Sequence, residues 1–241
     1  MKYAIISDLH SNLEALTAVL DKIDAIGVDQ IVCLGDVVGY NANPNECVAI
    51  MREREIPTIC GNHDAVACGL EEPWGFNPIA LAAALWTRED LTEENTEWLR
   101  ALPETRRYES FLTVHGSPTN PNTYMFGWED ILPHLFYLRQ QMCSLCFFGH
   151  THCPGIFSAD GTYTVDDDSK FVLGDRKDFF INPGSVGQPR DGDPRASFGL
   201  LETEQKEYEL VRVPYPIKQV AERIITAGLP DFLAERLYLG R

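Results

Sequence analysis

Short apolar runs that end abruptly in glycine, carboxylate, amide or imidazole recur along this chain, and they constrain its fold more than any other feature. Residues 3–6 run into Asp8 and His10, and residues 31–34 into Gly35-Asp36. Residues 57–60 run into Gly61-Asn62-His63-Asp64, residues 110–114 into His115-Gly116, and residues 144–148 into Gly149-His150-Thr151-His152. Such runs read as buried strands with polar loops at their ends. Between the first two, Leu13, Leu16, Leu20 and Ile23 mark one face of a helix. Ser11 is its expected N-cap, with Glu14 completing a capping box, and Gly27 ends it. Strand, helix, strand in this order implies a right-handed parallel crossover.

Residues 45–54 read as a second helix, and residues 64–102 as a helical, aromatic segment carrying Trp74, Trp86 and Trp98. Thr92 is the expected N-cap of the helix that carries Trp98. The tryptophans are expected to fill the core between these helices and the sheet. Strands return at 110–114, 144–148, 153–157 and 179–181, with a helix at 129–140 between the first two. Residues 197–201 and 208–213 read as a hairpin, and two helices, 217–227 and 231–237, close the chain. The pattern implies an α/β protein with two packed sheets flanked by helices.

Ligands of open α/β sheets gather at the carboxyl ends of strands. Asp8, His10, Asp36, Asn62, His115, His150 and His152 would therefore converge on one rim. Carboxylate, amide and imidazole without thiolate suit borderline divalent ions such as Mn²⁺, Fe²⁺, Ni²⁺ or Zn²⁺. Seven such groups exceed what one ion with open positions needs. Two ions about 3.5–4 Å apart would use them and leave room for water and substrate.

These segments together resemble the calcineurin-like metallophosphoesterase superfamily, over about residues 2–187, and within it the small bacterial and archaeal phosphoesterase branch. Ile181-Asn182-Pro183-Gly184-Ser185 and Gly228-Leu229-Pro230 resemble that branch as well. The resemblance implies a four-layer α/β/β/α sandwich of two mixed β-sheets, with residues 1–241 as one domain and 64–102 as a cap-like helical insertion. It also implies two divalent transition-metal ions. Asp8, His10 and His152 would hold one, Asn62, His115 and His150 the other, and Asp36 would bridge them. His63, steered by Asp64, would be the general acid of metal-assisted phosphoester hydrolysis.

In the protein Ser/Thr phosphatases and symmetrical dinucleoside-tetraphosphate hydrolases of that superfamily, an Arg follows the Gly-Asp motif and clamps phosphate. Tyr40 stands at that place here and offers no cationic fork. Arg190 and Arg195 are the candidates to substitute for it. The substrate expected is a small phosphodiester, with phosphomonoesters and dinucleoside polyphosphates as alternatives. A non-catalytic scaffold of the same fold, like the retromer subunit, is a further alternative, but such scaffolds lack the acid histidine that this chain keeps as His63.

The 241 residues carry a net charge of −16, which repels long nucleic acids and anionic membranes. Residues 79–86, the most apolar helical run, are too few to span a bilayer, and the first residues lack a signal-peptide layout. Seven scattered cysteines suit reduced thiols in a cytoplasm. Cys143 and Cys146 read as buried thiols whose side chains would face apart if both lay in a strand. His134 reads as structural and 166–168 as a solvated acidic turn. The sequence leaves a homo-oligomer open.

Overall fold

A computed structural model describes residues 1–163, 167, 169–174 and 178–241. In chain order the elements are β1 (Lys2–Ile6), α1 (Leu13–Ile26), β2 (Gln30–Cys33), α2 (Pro44–Glu53), α3 (Asn62–Ala67), α4 (Pro78–Asp90) and α5 (Glu93–Arg100). There follow β3 (Arg106–Arg107), β4 (Leu112–Thr113), α6 (Trp128–Ile131), a 3₁₀ turn (Leu132–His134), α7 (Leu135–Gln140), β5 (Leu145–Phe147) and β6 (Gly155–Ser158). The last are β7 (Gly161–Tyr163), β8 (Lys170–Val172), β9 (Phe179–Asn182), β10 (Ala196–Glu202), β11 (Glu207–Val213), α8 (Ile217–Thr226) and α9 (Asp231–Leu237).

Two mixed sheets form, in the orders β2-β1-β10-β11-β8 and β3-β4-β5-β9-β6-β7. The period-two alternation of each strand sorts its side chains between layers. Tyr3 and Ile5 of β1 meet Phe147, Ile181 and Tyr208 in the core between the sheets. Ala4 and Ile6 face the other way, onto Leu16, Leu20 and Ile23 of α1 and Val220 and Ile224 of α8. On the far side, Cys146 and Phe180 pack with Ile131 and Leu138 beneath α6 and α7. The result is helices, sheet, sheet, helices. Within it β1 and β2 run parallel, as do β4, β5 and β9, so their carboxyl ends share a rim.

Several local expectations are corrected. The run at 57–60 is not a strand: Thr58 alone bridges Cys33, because Pro57 has no N–H and Cys60 N–H turns away to Pro103 O. Asn12, not Ser11, caps α1, its side chain accepting from Ala15 N–H at 3.1 Å. Glu14 is drawn outward by Arg223, so no capping box forms there. The helix at 129–140 breaks into α6, the 3₁₀ turn and α7 around Pro133. Trp86 and Trp98 pack on the core that Ala4 and Ile6 share with α1 and α8, but Trp74 is 86% exposed on a loop before α4. Cys143 precedes β5, so it and Cys146 enter the same core layer, each as a free thiol. All seven cysteines are free. His134 is half-buried at the end of the 3₁₀ turn. Residues 166 and 168 of the acidic turn lie outside the described residues, and Asp167 pairs with Arg195. Among the described residues no helix is long and apolar enough to cross a membrane.

Candidate metal centre and active site

Past the strand ends the backbone takes up unusual conformations. Asp8 (φ 53°), His10 (48°), Asp36 (52°), Tyr40 (58°), His150 (66°) and His152 (59°) all occupy the left-handed region. Non-glycine residues seldom sit there, and each such residue costs about 1–3 kcal/mol. Hydrogen bonds between loops hold them in place. Asp8 N–H donates to Gly35 O (3.1 Å), His10 N–H to Asp36 O (2.9 Å) and Gly149 N–H to His115 O (2.8 Å). Gly61 is required by close approach, since a Cβ there would lie 2.1 Å from Asp36 Oδ1. Gly39, at φ 101°, passes so near the His63 ring that a Cβ would meet its Nδ1 at 2.6 Å.

The seven groups read from the strand ends come together, each buried. Ligand atoms of Asp8, His10, Asp36 and His152 lie within 4.8 Å of one another, and so do those of Asp36, His115 and His150. Asp36 belongs to both groups. Asn62 joins the second, its Oδ1 lying 3.1 Å from His115 Nε2. The tautomers follow from what each Nδ1 meets: Val38 O for His10 (3.1 Å), Gln188 O for His152 (2.6 Å) and Leu34 O for His115 (2.8 Å). An Nδ1–H donated to a carbonyl leaves Nε2 as the ligand atom, bare in His10 and His152 and in His115 once metal displaces its proton. The Nε2 atoms of His10 and His152 therefore face each other at 3.0 Å, lone pair to lone pair. His150 Nε2 is buried with no hydrogen-bond partner among the described residues, and Asp36 Oδ2 is buried between the Nε2 atoms of His115 (3.2 Å) and His10 (3.5 Å). Facing lone pairs and orphaned buried acceptors are costly unless a cation sits among them. The residues present thus fit divalent ions.

Burial lowers His10 and His152 well below the usual imidazole range and His150 to about 3, so these rings are neutral ligands at pH 7. Burial acts the same way on His115, but the charge of Asp36 and their hydrogen bond prevail and lift it to about 10. Burial works against ionisation of Asp36, yet the His115 charge holds it below the usual carboxylate range. Burial pushes Asp8 up to about 7, with the Asp36 charge adding to this. Without ions the site thus holds protons on His115 and, partly, on Asp8 at pH 7. Ions must displace them, so affinity should rise as pH increases from 6 to 8, about tenfold per unit for each proton released. Calorimetric Mn²⁺ titrations in buffers of different ionisation enthalpy count those protons. Uptake without proton release would contradict this assignment.

His63 opens α3, and its ring lies against His10 (4.9 Å between centroids), Tyr40 (4.4 Å) and Phe76 (4.7 Å). Its N–H donates to Asp36 Oδ1 at 2.8 Å. The carboxylate of Asp64 accepts from Val38 N–H (3.1 Å) and Gly61 N–H (3.0 Å), and among the described contacts it makes none with the His63 ring. It ties two loops together where steering of His63 was expected. Tyr40 is buried beside His10 at 4.6 Å. The two candidate arginines separate. Arg195 is committed to Asp193 and Asp167. Arg190 lies over the Tyr40 ring, its Cζ 5.6 Å from the centroid, and its buried Nε has no partner among the described residues. Its charge bears on Asp8, His10, His63, His150 and His152.

Three residues near this site escaped the sequence reading. Tyr124 stacks on His150, Phe76 packs tilted against His63, and Arg236 of α9 is lowered to about 10 by burial and the charge of Arg190. No motif marks them. Arg236 arrives because Gly192 N–H, in the Arg190 loop, bonds Gly240 O just beyond α9 (2.9 Å).

Fold and site together define a class, and the chain belongs to the calcineurin-like phosphoesterase superfamily, whose domain matches residues 1–206. It is a hydrolase of phosphoester bonds in a metal-dependent family, with the Asp/His cluster placed to bind metal. The chain is 37% identical to a metallophosphoesterase from Sphaerobacter thermophilus, whose crystal structure superposes with a TM-score of 0.86 over 100% of this chain and 99% of that one. It is 40% identical to an uncharacterized protein of Methanocaldococcus jannaschii, over 99% of this chain and 98% of that protein. The phosphodiesterase YfcE of Escherichia coli K12 is 25% identical, over 85% of this chain and 89% of its own.

Proposed function

We propose that this chain hydrolyses small phosphodiesters at a pair of divalent ions. Asp8, His10 and His152 hold one ion, Asn62, His115 and His150 hold the other, and Asp36 is shared. The observation that carries this reading is the membership of Asp36 in both donor groups, its Oδ2 lying between His10 and His115. Bound there, the ions supply charge for the phosphoryl oxygens and activation of water at neutral pH.

The remaining chemistry falls to side chains. His63 donates the proton that the leaving oxygen needs. Burial holds this ring down to about 4, and a phosphoryl anion beside it favours the protonated form, so the ring takes up a proton from solvent as substrate binds. Asp64 is a positioning residue: through Gly61 and Val38 it fixes the loops that carry Asn62, His63 and Tyr40. Arg190, over Tyr40, offers from another loop only a partial substitute for the cation that Tyr40 lacks, since its Nη2 is already engaged by Gln188 Oε1 at 3.0 Å. Residues 1–241 then act as one domain. The helical segment 64–102 is a cap-like insertion, and Phe76 against His63 is where it meets the site.

Two features favour a diester. Tyr40 replaces a clamping cation that a dianionic monoester needs more than a monoanion does, and YfcE is named a phosphodiesterase. Wild-type protein should show a higher kcat/KM on the diester than on the monoester of one alcohol. Arg190→Ala should widen the gap by about 10-fold or more, because a charge-assisted contact worth about 1.5–3 kcal/mol is lost mainly to the dianion. A monoester preference of the wild-type protein would overturn the diester assignment.

A further inference from the structure

The metal-ligand candidate His150 is the inner member of a column of rings. Tyr124 lies on it with centroids 4.0 Å and planes 23° apart, and Phe126 lies on Tyr124 at 5.5 Å and 7°. Single exposed aromatics carry no message. Here two of them, 46% and 64% exposed, stand parallel and lead from solvent to the centre. Met125 between them is buried, which turns both rings outward. The loop is well tied. Thr123 N–H donates to Asn120 O (3.2 Å), and Phe126 N–H and Gly127 N–H donate to Asp130 Oδ2 at 2.9 and 3.2 Å. Asn122 Nδ2 donates to Glu71 Oε2 (3.2 Å) in the segment that carries Phe76. The backbone that carries the rings is therefore tied at both ends of the loop.

We propose that Tyr124 and Phe126 form a subsite for a flat aromatic ring, the base of a nucleoside, carried by the phosphoester whose phosphoryl group sits at the Asp36 centre. This rests on the hydrolytic reading above and narrows its substrate class to small nucleotide esters. Aromatic faces accept any base, since every base offers a π-face and stacking is worth about 1–3 kcal/mol per base. A sugar or alkyl group has no such face. The net charge of −16 keeps the ligand short, because a polynucleotide would be repelled.

Binding of thymidine 5′-phosphate and of ribose 5-phosphate to the Mn²⁺-loaded protein, measured by calorimetry, isolates the base from the phosphate. Wild-type protein should bind the nucleotide about 10- to 100-fold more tightly. Phe126→Ala should bring the ratio to within about threefold of one, Phe126→Trp should restore it, and Phe136→Ala, an exposed ring on α7, should leave it intact. A wild-type ratio near one, no binding of either ligand, or a ratio that survives Phe126→Ala would overturn the subsite. Turnover separates the two readings. If methyl thymidine 5′-phosphate is not cleaved while the ratio behaves as described, the subsite stands and hydrolysis falls. If the ester is cleaved while the ratio is near one, the reverse holds.

Discussion

Asp36→Ala should strip both ions from the protein and lower phosphoester hydrolysis by more than about 10³-fold. No other side chain belongs to both donor groups. Its Oδ1 also receives His63 N–H, and its charge holds the His115 proton in the absence of metal. Loss of an outer partner of a metal ligand typically costs about 10–100-fold in affinity, and loss of a shared ligand should cost more at each ion. Elemental analysis after reconstitution checks this, with circular dichroism to establish that the fold persists. One ion retained would show that Asp36 serves a single site. Two retained would refute the bridge.

His63→Ala should behave in the opposite manner, keeping both ions and losing rate. The ring is packed against Tyr40 and Phe76 and belongs to neither donor group. Loss of a general acid costs about 10²–10⁴-fold. The loss should be largest for alkoxide leaving groups and smallest for nitrophenolate, which departs without a proton. Equal losses across a leaving-group series would instead indicate that His63 only shapes the site.

Much of this was legible in the sequence, because strand period and strand-end chemistry are local properties. The alternation that sends Tyr3 and Ile5 one way and Ala4 and Ile6 the other needs only neighbouring residues. The seven donors could be read because they cluster just past five apolar runs. What could not be read depends on distant partners. Pro57–Cys60 has a strand's composition, but Pro103 captures the Cys60 N–H. Ser11 looks like a cap, yet its hydroxyl accepts from Gly39 N–H at 3.1 Å and braces the metal loop instead. Asp64 follows His63 in sequence, but the first turn of α3 directs its carboxylate to Gly61 and Val38. Arg190 and Arg195 look equivalent until Asp193 and Asp167 occupy one of them. Tyr124 and Arg236 reach the site through loop and tail packing that leaves no motif.

Electron paramagnetic resonance of the Mn²⁺-loaded wild-type protein distinguishes two ions joined by one carboxylate from two separate ions. Two Mn²⁺ bound per chain and sharing Asp36 should be exchange-coupled, and the spectrum should show that coupling when the protein is filled to two ions by elemental analysis. Isolated-ion spectra at full loading, or saturation at one ion per chain, would contradict the account.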